Sequence, residues 1–342
     1  MKKPLISFIL PVFNNNNSII PTIKSLISQN YDNKEIIIID DSSTDNSIKL
    51  IQKYINKYPY IKLIKEPSLG KIHNLEAGLS KANGFFVMFV QTGNIYIDTM
   101  SDYLISHFDS FTDIVSSDFF CITETEYYNY TEILKKSPKE LFYKYSGQDY
   151  IQFLSSSSDH SFECCISLWN KFIKSKLLKQ IDLTQFTNEY SLSKAILLSS
   201  NQIIVSNQLL IGKILIDQYF IENCFNYKNL ETINFLENLI IDFKRQNNKE
   251  KIYNCSLRLM LYLLKVRKQL SFYALNISDK TQLRENIDKK FNSIYKFLHT
   301  KYEADSEKYE PINEKYRKIL KDEKFIEKNY FLYSSYAINS PD

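Results

Sequence analysis

Apolar residues in the first part of this chain fall into short dense runs that stop abruptly, and between the runs they recur at helical spacing. Leu5–Leu10 and Ile36–Ile39 are β-branched or aromatic in character and too short for ordinary helices, which predicts buried strands. Between them, Ile19, Ile20, Ile23, Leu26 and Ile27 form the stripe of an amphipathic helix, with Ser18 as cap and Pro21 in its first turn. Strand, helix and strand of this length make a βαβ unit with parallel strands and a right-handed crossover. Ligands of such sheets bind outside the carboxyl ends of the strands. Those ends carry Pro11-Val12-Phe13-Asn14 and Asp40-Asp41-Ser42-Ser43, where a carboxylate pair is placed to accept hydrogen bonds from a sugar hydroxyl or a base N–H.

The alternation continues. Ile48, Ile51 and Ile55 predict a helix stopped near Pro59, and Ile61–Ile64 a short strand. Leu75, Ala77, Leu79 and Ala82 predict a helix face packed on the sheet, followed by strands at Phe85–Val90 and Ile114–Ile122. Lys135–Lys144 reads as a basic helix, Ser155–Ser158 as a loop, and Ala195-Ile196-Leu197 as part of a helix. Ile203–Val205 and Leu209–Ile216 finish the sheet. From about Asp217 the pattern changes to long helices, marked by Leu236, Leu239, Ile240 and Phe243, then by Leu257, Leu259, Leu261, Leu263 and Leu264. Residues 281–330 add two charged helices with Phe291, Ile294, Tyr295 and Leu298 on one side. The expected architecture is an α/β domain over residues 1–213 and an all-α accessory domain over 214–342.

Composition narrows the class. A chain of 342 residues suits two domains, and its net charge of +4 (43 basic minus 39 acidic) is too small to argue for a nucleic-acid partner. Cys121, Cys164, Cys165, Cys224 and Cys255 form no C-x-x-C pair, so they read as reduced thiols of a cytosolic protein rather than a zinc site. Met1-Lys2-Lys3 before an apolar run imitates a secretory signal, but Pro11 and Asn14–Asn17 cut it short and no small-residue cleavage site follows. No apolar run approaches the ~20 residues of a membrane helix. Lys-rich faces of the C-terminal helices are read as solvated, with peripheral contact to an anionic membrane as the alternative.

A strand ending in P-x-F-N, a helix, and a strand ending in D-D-x-S-x-D resemble the family-2 glycosyltransferases of the GT-A fold; Pro11, Phe13, Asn14, Asp40, Asp41, Ser43 and Asp45 stand in those places. The resemblance covers roughly residues 5 to 210. It implies a Rossmann-like mixed sheet flanked by helices and transfer of a sugar, usually with inversion, from a nucleotide donor such as a UDP-sugar. Pro11, Phe13, Asn14, Asp40, Asp41, Thr92 and Gly93 would line the donor pocket, with Asp41 reading the base. Gly70-Lys71-Ile72-His73-Asn74-Leu75-Glu76-Ala77-Gly78-Leu79 keeps most of a family G-K-x-x-x-L-N-x-G-L segment, which puts Lys71 in the donor pocket to screen the diphosphate. Glu76 replaces the family Asn. His73, without a positioned partner, reads as an ordinary helix position.

The next family motif is missing. After the Phe85–Val90 strand, relatives carry aspartates that hold Mn or Mg against the diphosphate, because hard cations prefer anionic oxygen. This chain has Gln91-Thr92-Gly93-Asn94, with Asn94 and Asp98 as the metal candidates. Three accounts remain open: Lys71 or other cations replace the metal, a metal binds through Asp98 or another residue, or transfer activity is lost.

Leu168-Trp169-Asn170-Lys171-Phe172-Ile173-Lys174 is similar to a segment beside the family's acceptor site, so Trp169 and Lys171 are acceptor-side candidates, with a buried anchor as the other reading of Trp169. Tyr127, Tyr128 and Tyr130 are candidates for sugar stacking, although ordinary packing is favoured. Where relatives carry E-D before a helix this chain has Asn188-Glu189, which makes Glu189 the candidate general base. Asp or Glu at a helix start is also favoured by the dipole alone. The resemblance implies a cytoplasmic, bacterial enzyme, at the inner face of the membrane in one version, building a surface glycan, polymer or glycoprotein. The alternative is an inactive GT-A module that binds a partner transferase or a glycan.

Overall fold

The computed structural model of the chain describes residues 3–123, 139–156, 166–215, 228–270 and 277–305. Two compact units emerge, one of residues 1–151 with 164–218, the other of residues 152–163 with 219–342.

The first unit begins β1 (Ile6–Val12), α1 (Ile19–Ile27), β2 (Lys34–Asp40), α2 (Ser47–Lys57), β3 (Ile61–Lys65), α3 (Lys71–Lys81) and β4 (Phe86–Phe89). Strands β3, β2, β1 and β4 lie side by side in parallel, so the helices between them are crossovers. Every residue of β2 is buried, as expected of a strand covered on both faces. Phe8, Leu10, Val12, Ile36 and Ile38 share a core cluster with Ile19, Ile23 and Leu26 of α1. Ile9 and Ile39 point to the opposite face, where Gly78 brings α3 so close that a Cβ there would overlap Ile9. Pro21 stands in the first turn of α1 as expected, but the Ser18 side chain makes no cap hydrogen bond.

Then follow β5 (Asn94–Tyr96), α4 (Met100–Ser106), β6 (Thr112–Thr123), β7 (Phe142–Tyr145), α5 (Gly147–Ser156), β8 (Lys171–Lys174), α6 (Ser175–Leu178), a 3-10 turn at Leu183–Gln185, α7 (Glu189–Leu198) and β9 (Gln202–Leu215). The sheet continues from β4 through antiparallel β8 to β6, β9 and β5, with β7 also on β9. Three expectations are corrected here. The run Ile203–Val205 and the described part of the run that starts at Leu209 are one strand, because Asn207 Oδ1 accepts from the Leu141 N–H and its amide donates to the Lys139 carbonyl, so the polar interval keeps its partners. The described end of the expected basic helix at Lys135–Lys144 is strand: aromatic Phe142, Tyr143 and Tyr145 pair antiparallel with β9. Ser155 and Ser156 close helix α5 rather than opening a loop.

At the amino edge of the parallel strands, buried Glu35 accepts from Ser7 Oγ and the Asn83 N–H, both at 2.7 Å, and from Lys62 Nζ at 2.9 Å. Burial alone would push its carboxyl up, but the donors from Asn83, Ser7 and Lys62 outweigh that and hold it below the usual range.

The second unit contains α8 (Lys228–Arg245), α9 (Lys249–Gln269) and α10 (Ile277–Asp305). Asn247, in the left-handed region at φ +52°, ends α8, and Asn248 Oδ1 accepts from the Lys251 N–H at 3.1 Å to start α9. Tyr253, Leu257, Met260 and Leu298 form its buried cluster, with Phe291, Ile294 and Tyr295 packed against them. The described part of the expected helix pair in 281–330 is one helix. The Cys255 thiol, pushed up to about 12 by burial, is a free packing group.

Replacing Glu35 by Ala leaves Ser7, the Asn83 N–H and Lys62 without their acceptor, and should cost roughly 2–3 kcal/mol in urea unfolding. Because the folded-state pKa of Glu35 is lowered, its stabilisation is present above the unfolded carboxylate value and is lost as pH falls through the folded value. Glu35→Gln should therefore flatten the decline of stability below about pH 4; an unchanged acid limb would contradict this.

Candidate active site

Register places the loops. Val12 pairs with Asp40, so the chains leaving β1 and β2 emerge side by side, and the Asp41 N–H donates to the Val12 carbonyl at 2.9 Å. Asn14 then turns through the left-handed region at φ +52°, which Asn tolerates better than most residues. Its Oδ1 accepts from the Thr44 N–H at 2.9 Å and the Asp45 N–H at 3.3 Å, while its own N–H donates to Ser43 Oγ at 3.1 Å. The Asn15 N–H donates to Ser47 Oγ, and the Asn16 N–H to Asp45 Oδ2. Asp40 turns inward, with Oδ1 accepting from the Ser43 N–H at 3.0 Å. Asn14, Asp40, Ser43 and Asp45 thus form the scaffold of this edge. Phe13 stands clear of it, 53% exposed.

Asp41 differs. It is only 8% exposed, and its Oδ1 has no hydrogen-bond partner. Side chains alternate along β2, so Asp41 shares the α3-facing side with Ile39.

Helix α3 opens at Gly70, whose φ of +91° only glycine adopts without strain and which offers no side-chain cap. Lys71 is the first helical residue, an unfavourable place for a cation in the helix dipole. It forms an ion pair with Glu189, the first residue of α7. Asn188 explains how α7 starts there: its Oδ1 accepts from the Ser191 N–H at 2.9 Å as the cap. The expected base and the expected diphosphate lysine, far apart in sequence, therefore meet. His73 has a partner that the sequence did not disclose, Glu66 Oε2 at 3.3 Å, and Glu66 itself donates its N–H to the Asp40 carbonyl.

The Gln91–Asn94 turn is held from α1. Thr22 Oγ1 accepts from the Gly93 N–H at 3.0 Å and donates to the Asn94 carbonyl at 2.8 Å, and Gly93 takes a φ of +86°. Thr92 is partly exposed beside it, whereas Asn94 is buried. Asp98 is not brought to this place. Strand β5 runs alongside α1 toward that helix's far end, where Asp98 Oδ1 accepts from Ser28 Oγ at 2.7 Å. Six residues separate Thr22 from Ser28, about 9 Å at the usual helical rise. Among the described residues no cluster of three His, Cys, Asp or Glu side chains is arranged for a metal. A buried Asn, a Gly, a Thr and a Gln do not make a donor set for a hard divalent cation.

Both acceptor-side candidates are buried, which for Trp169 is the anchor reading. Trp169 is packed edge-on against Phe119 in the core, and Lys171 is fully buried with Nζ donating to the Ser167 carbonyl and Asn170 Oδ1. Neither presents a surface to an acceptor in this structure. Tyr127, Tyr128 and Tyr130 lie outside the described residues. A hollow of about 510 Å³ between Phe85 and Lys174–Gln180 opens at the amino edge of the strands, away from these loops.

Residues 7–166 match the sequence profile described as Glycosyl transferase family 2. Over 116 residues, 34% of this chain, the sequence is 34% identical to the cholesterol galactosyltransferase of Borreliella burgdorferi, covering 32% of that protein. The chain spans about a third of the length of curated relatives that it matches. In structure it is similar to S. aureus TarS 1–349 in complex with UDP-GlcNAc, with a TM-score of 0.50 and 17% identity over 84% of this chain and 73% of that one. It is also similar to the mannosyltransferase PcManGT from Pyrobaculum calidifontis in complex with GDP-Man and Mn2+, with a TM-score of 0.52 and 14% identity over 86% of this chain and 83% of that one. At these identities the likeness establishes the fold: the mixed sheet flanked by helices is that of the GT-A proteins.

The Asn14 junction makes a graded prediction. Asn14→Gly keeps the backbone freedom and loses the caps on Thr44 and Asp45, for a cost of roughly 1–2 kcal/mol. Asn14→Ala should lose about 1 kcal/mol more through its left-handed backbone. Urea unfolding of the two variants measures both, and equal stability of Ala and Gly would contradict the backbone part.

Proposed function

From a chain that belongs to the family-2 glycosyltransferases through residues 7–166, we propose an enzyme that moves a sugar from a UDP-sugar to a hydroxyl of a glycan, polymer or protein acceptor with inversion. The observation that carries the reading is the meeting of Lys71 and Glu189 at the carboxyl edge that also holds Asp41. UDP-GlcNAc bound to TarS supports the choice of donor. In this reading the base N–H donates to Asp41. The diphosphate lies at the N-terminus of α3, where the uncapped N–H groups after Gly70 and the Lys71 ammonium meet its charge.

Glu189 takes the proton of the acceptor hydroxyl as that oxygen attacks the anomeric carbon. The bond from the sugar to the diphosphate breaks, and its electron pair leaves on the β-phosphate oxygen toward Lys71. The Lys71–Glu189 pair holds both groups until the diphosphate exchanges for Glu189 at the ammonium, which leaves the carboxylate to act as base. No step is assigned to a divalent cation, because the Gln91–Asn94 turn offers no carboxylate and Asp98 bonds to Ser28.

Calorimetric titration of UDP and UDP-sugars with Mn²⁺ and with EDTA tests this. Binding should be alike under both conditions and should weaken at least about tenfold in Lys71→Ala, the scale of one charge-assisted hydrogen bond. Glu189→Gln should keep donor binding while turnover falls by roughly 10²-fold or more. Absence of nucleotide binding, or binding only with Mn²⁺, would overturn the metal-free donor site. Donor binding with no turnover on any acceptor would favour the partner-binding module.

A further inference from the structure

We infer that Asn74 reads the nucleobase beside Asp41 and is the residue that sets which base is accepted; this rests on the donor-site reading above. Asn74 is 2% exposed, and its Oδ1 has no hydrogen-bond partner. Buried polar groups in folded proteins nearly always have partners, and Asn is a poorer helix former than Ala, so packing alone gives no reason for it here. Its neighbours on the buried face of α3 are Leu75 and Gly78.

The packing fixes where Asn74 lies. Gly78 meets Ile9 and Ile39 on the sheet. Helix α3 runs antiparallel to the parallel strands, so moving one turn from Gly78 back to Asn74 goes toward their carboxyl edge. That turn rises about 5.4 Å, and the two strand residues from Ile39 to Asp41 advance about 6.6 Å in the same direction. Asn74 and Asp41 therefore both lie toward the carboxyl edge from the Gly78 contact, on facing elements, and each has a buried oxygen without a partner. The same reasoning sets Lys71 one turn nearer the edge, at the level of the diphosphate. Base and diphosphate then lie in order along α3.

Uracil presents a carbonyl, an N–H and a second carbonyl on one edge. Asp41 takes the N–H. The Asn74 carboxamide, whose two ends exchange by a half-turn of χ2, gives its N–H to the adjacent carbonyl. Guanine presents two neighbouring donors, which suit an acceptor at position 74. Asn serves uracil through its amide, whereas a carboxylate there serves only a donor.

Titrations of UDP and GDP on the full chain and on Asn74→Ala and Asn74→Asp test this, with circular dichroism confirming that each variant is folded. Ala adds no bulk, so a loss of affinity cannot come from crowding. UDP affinity should fall at least about fivefold in Asn74→Ala, and the UDP/GDP affinity ratio at least about tenfold in Asn74→Asp, the scale of one hydrogen-bonding group. A merely structural Asn74 would not move that ratio. A UDP/GDP ratio within twofold of wild type in Asn74→Asp would overturn the inference while leaving the donor site standing. Failure of the wild-type chain to bind either nucleotide would overturn both.

Discussion

The pairing of β1 with β2 is the constraint on which the rest of the first unit depends. A parallel register that sets Val12 opposite Asp40 brings two loops out at one place, and a slip by one residue would turn Asp41 to the other face of the sheet. The loops are then joined by side chain to backbone hydrogen bonds rather than by packing. Asn14 satisfies Thr44 and Asp45, and Ser43 satisfies Asn14. Conserving these bonds occupies most of the polar groups that the edge carries. The unpartnered oxygen of Asp41 stands out because its neighbours are committed to the scaffold.

Charge at this edge departs from ordinary helix rules at the start of α3. Glu189 at the start of α7 agrees with the dipole, whereas Lys71 at the start of α3 opposes it, and the ion pair between them compensates. Such a local conflict is expected at a site where a ligand completes the balance. The Gln91–Asn94 turn makes the complementary point. It keeps its shape through Thr22 and a positive φ at Gly93, yet carries no carboxylate.

Legibility in the sequence followed how local each determinant is. The β1–α1–β2 unit was readable because strand runs, helical spacing and turn residues all agree within forty positions. Glu189 and Lys71 were each identifiable from motif resemblance, but their pairing was not, since it depends on packing between distant helices. Lys171 was legible as a motif and not as a buried group, because a strand of alternating character does not reveal which face is covered, whereas a buried anchor was already one of the two readings of Trp169. Strand β7 was hidden by its lysine-rich surroundings, and only its pairing with β9 fixes it. Asn74 carried no signal at all in a helix of mixed residues. Its significance comes from burial and the missing partner, which periodicity does not report.

The central claim is that Lys71 exchanges Glu189 for the diphosphate of a nucleotide donor. A crystal structure of the chain with a UDP-sugar in EDTA measures it directly. The account requires Lys71 Nζ within hydrogen-bond distance of a diphosphate oxygen, Glu189 turned toward the sugar, and Asp41 on the base N–H. A bound donor with the Lys71–Glu189 pair still closed, or with the diphosphate held elsewhere, would contradict it.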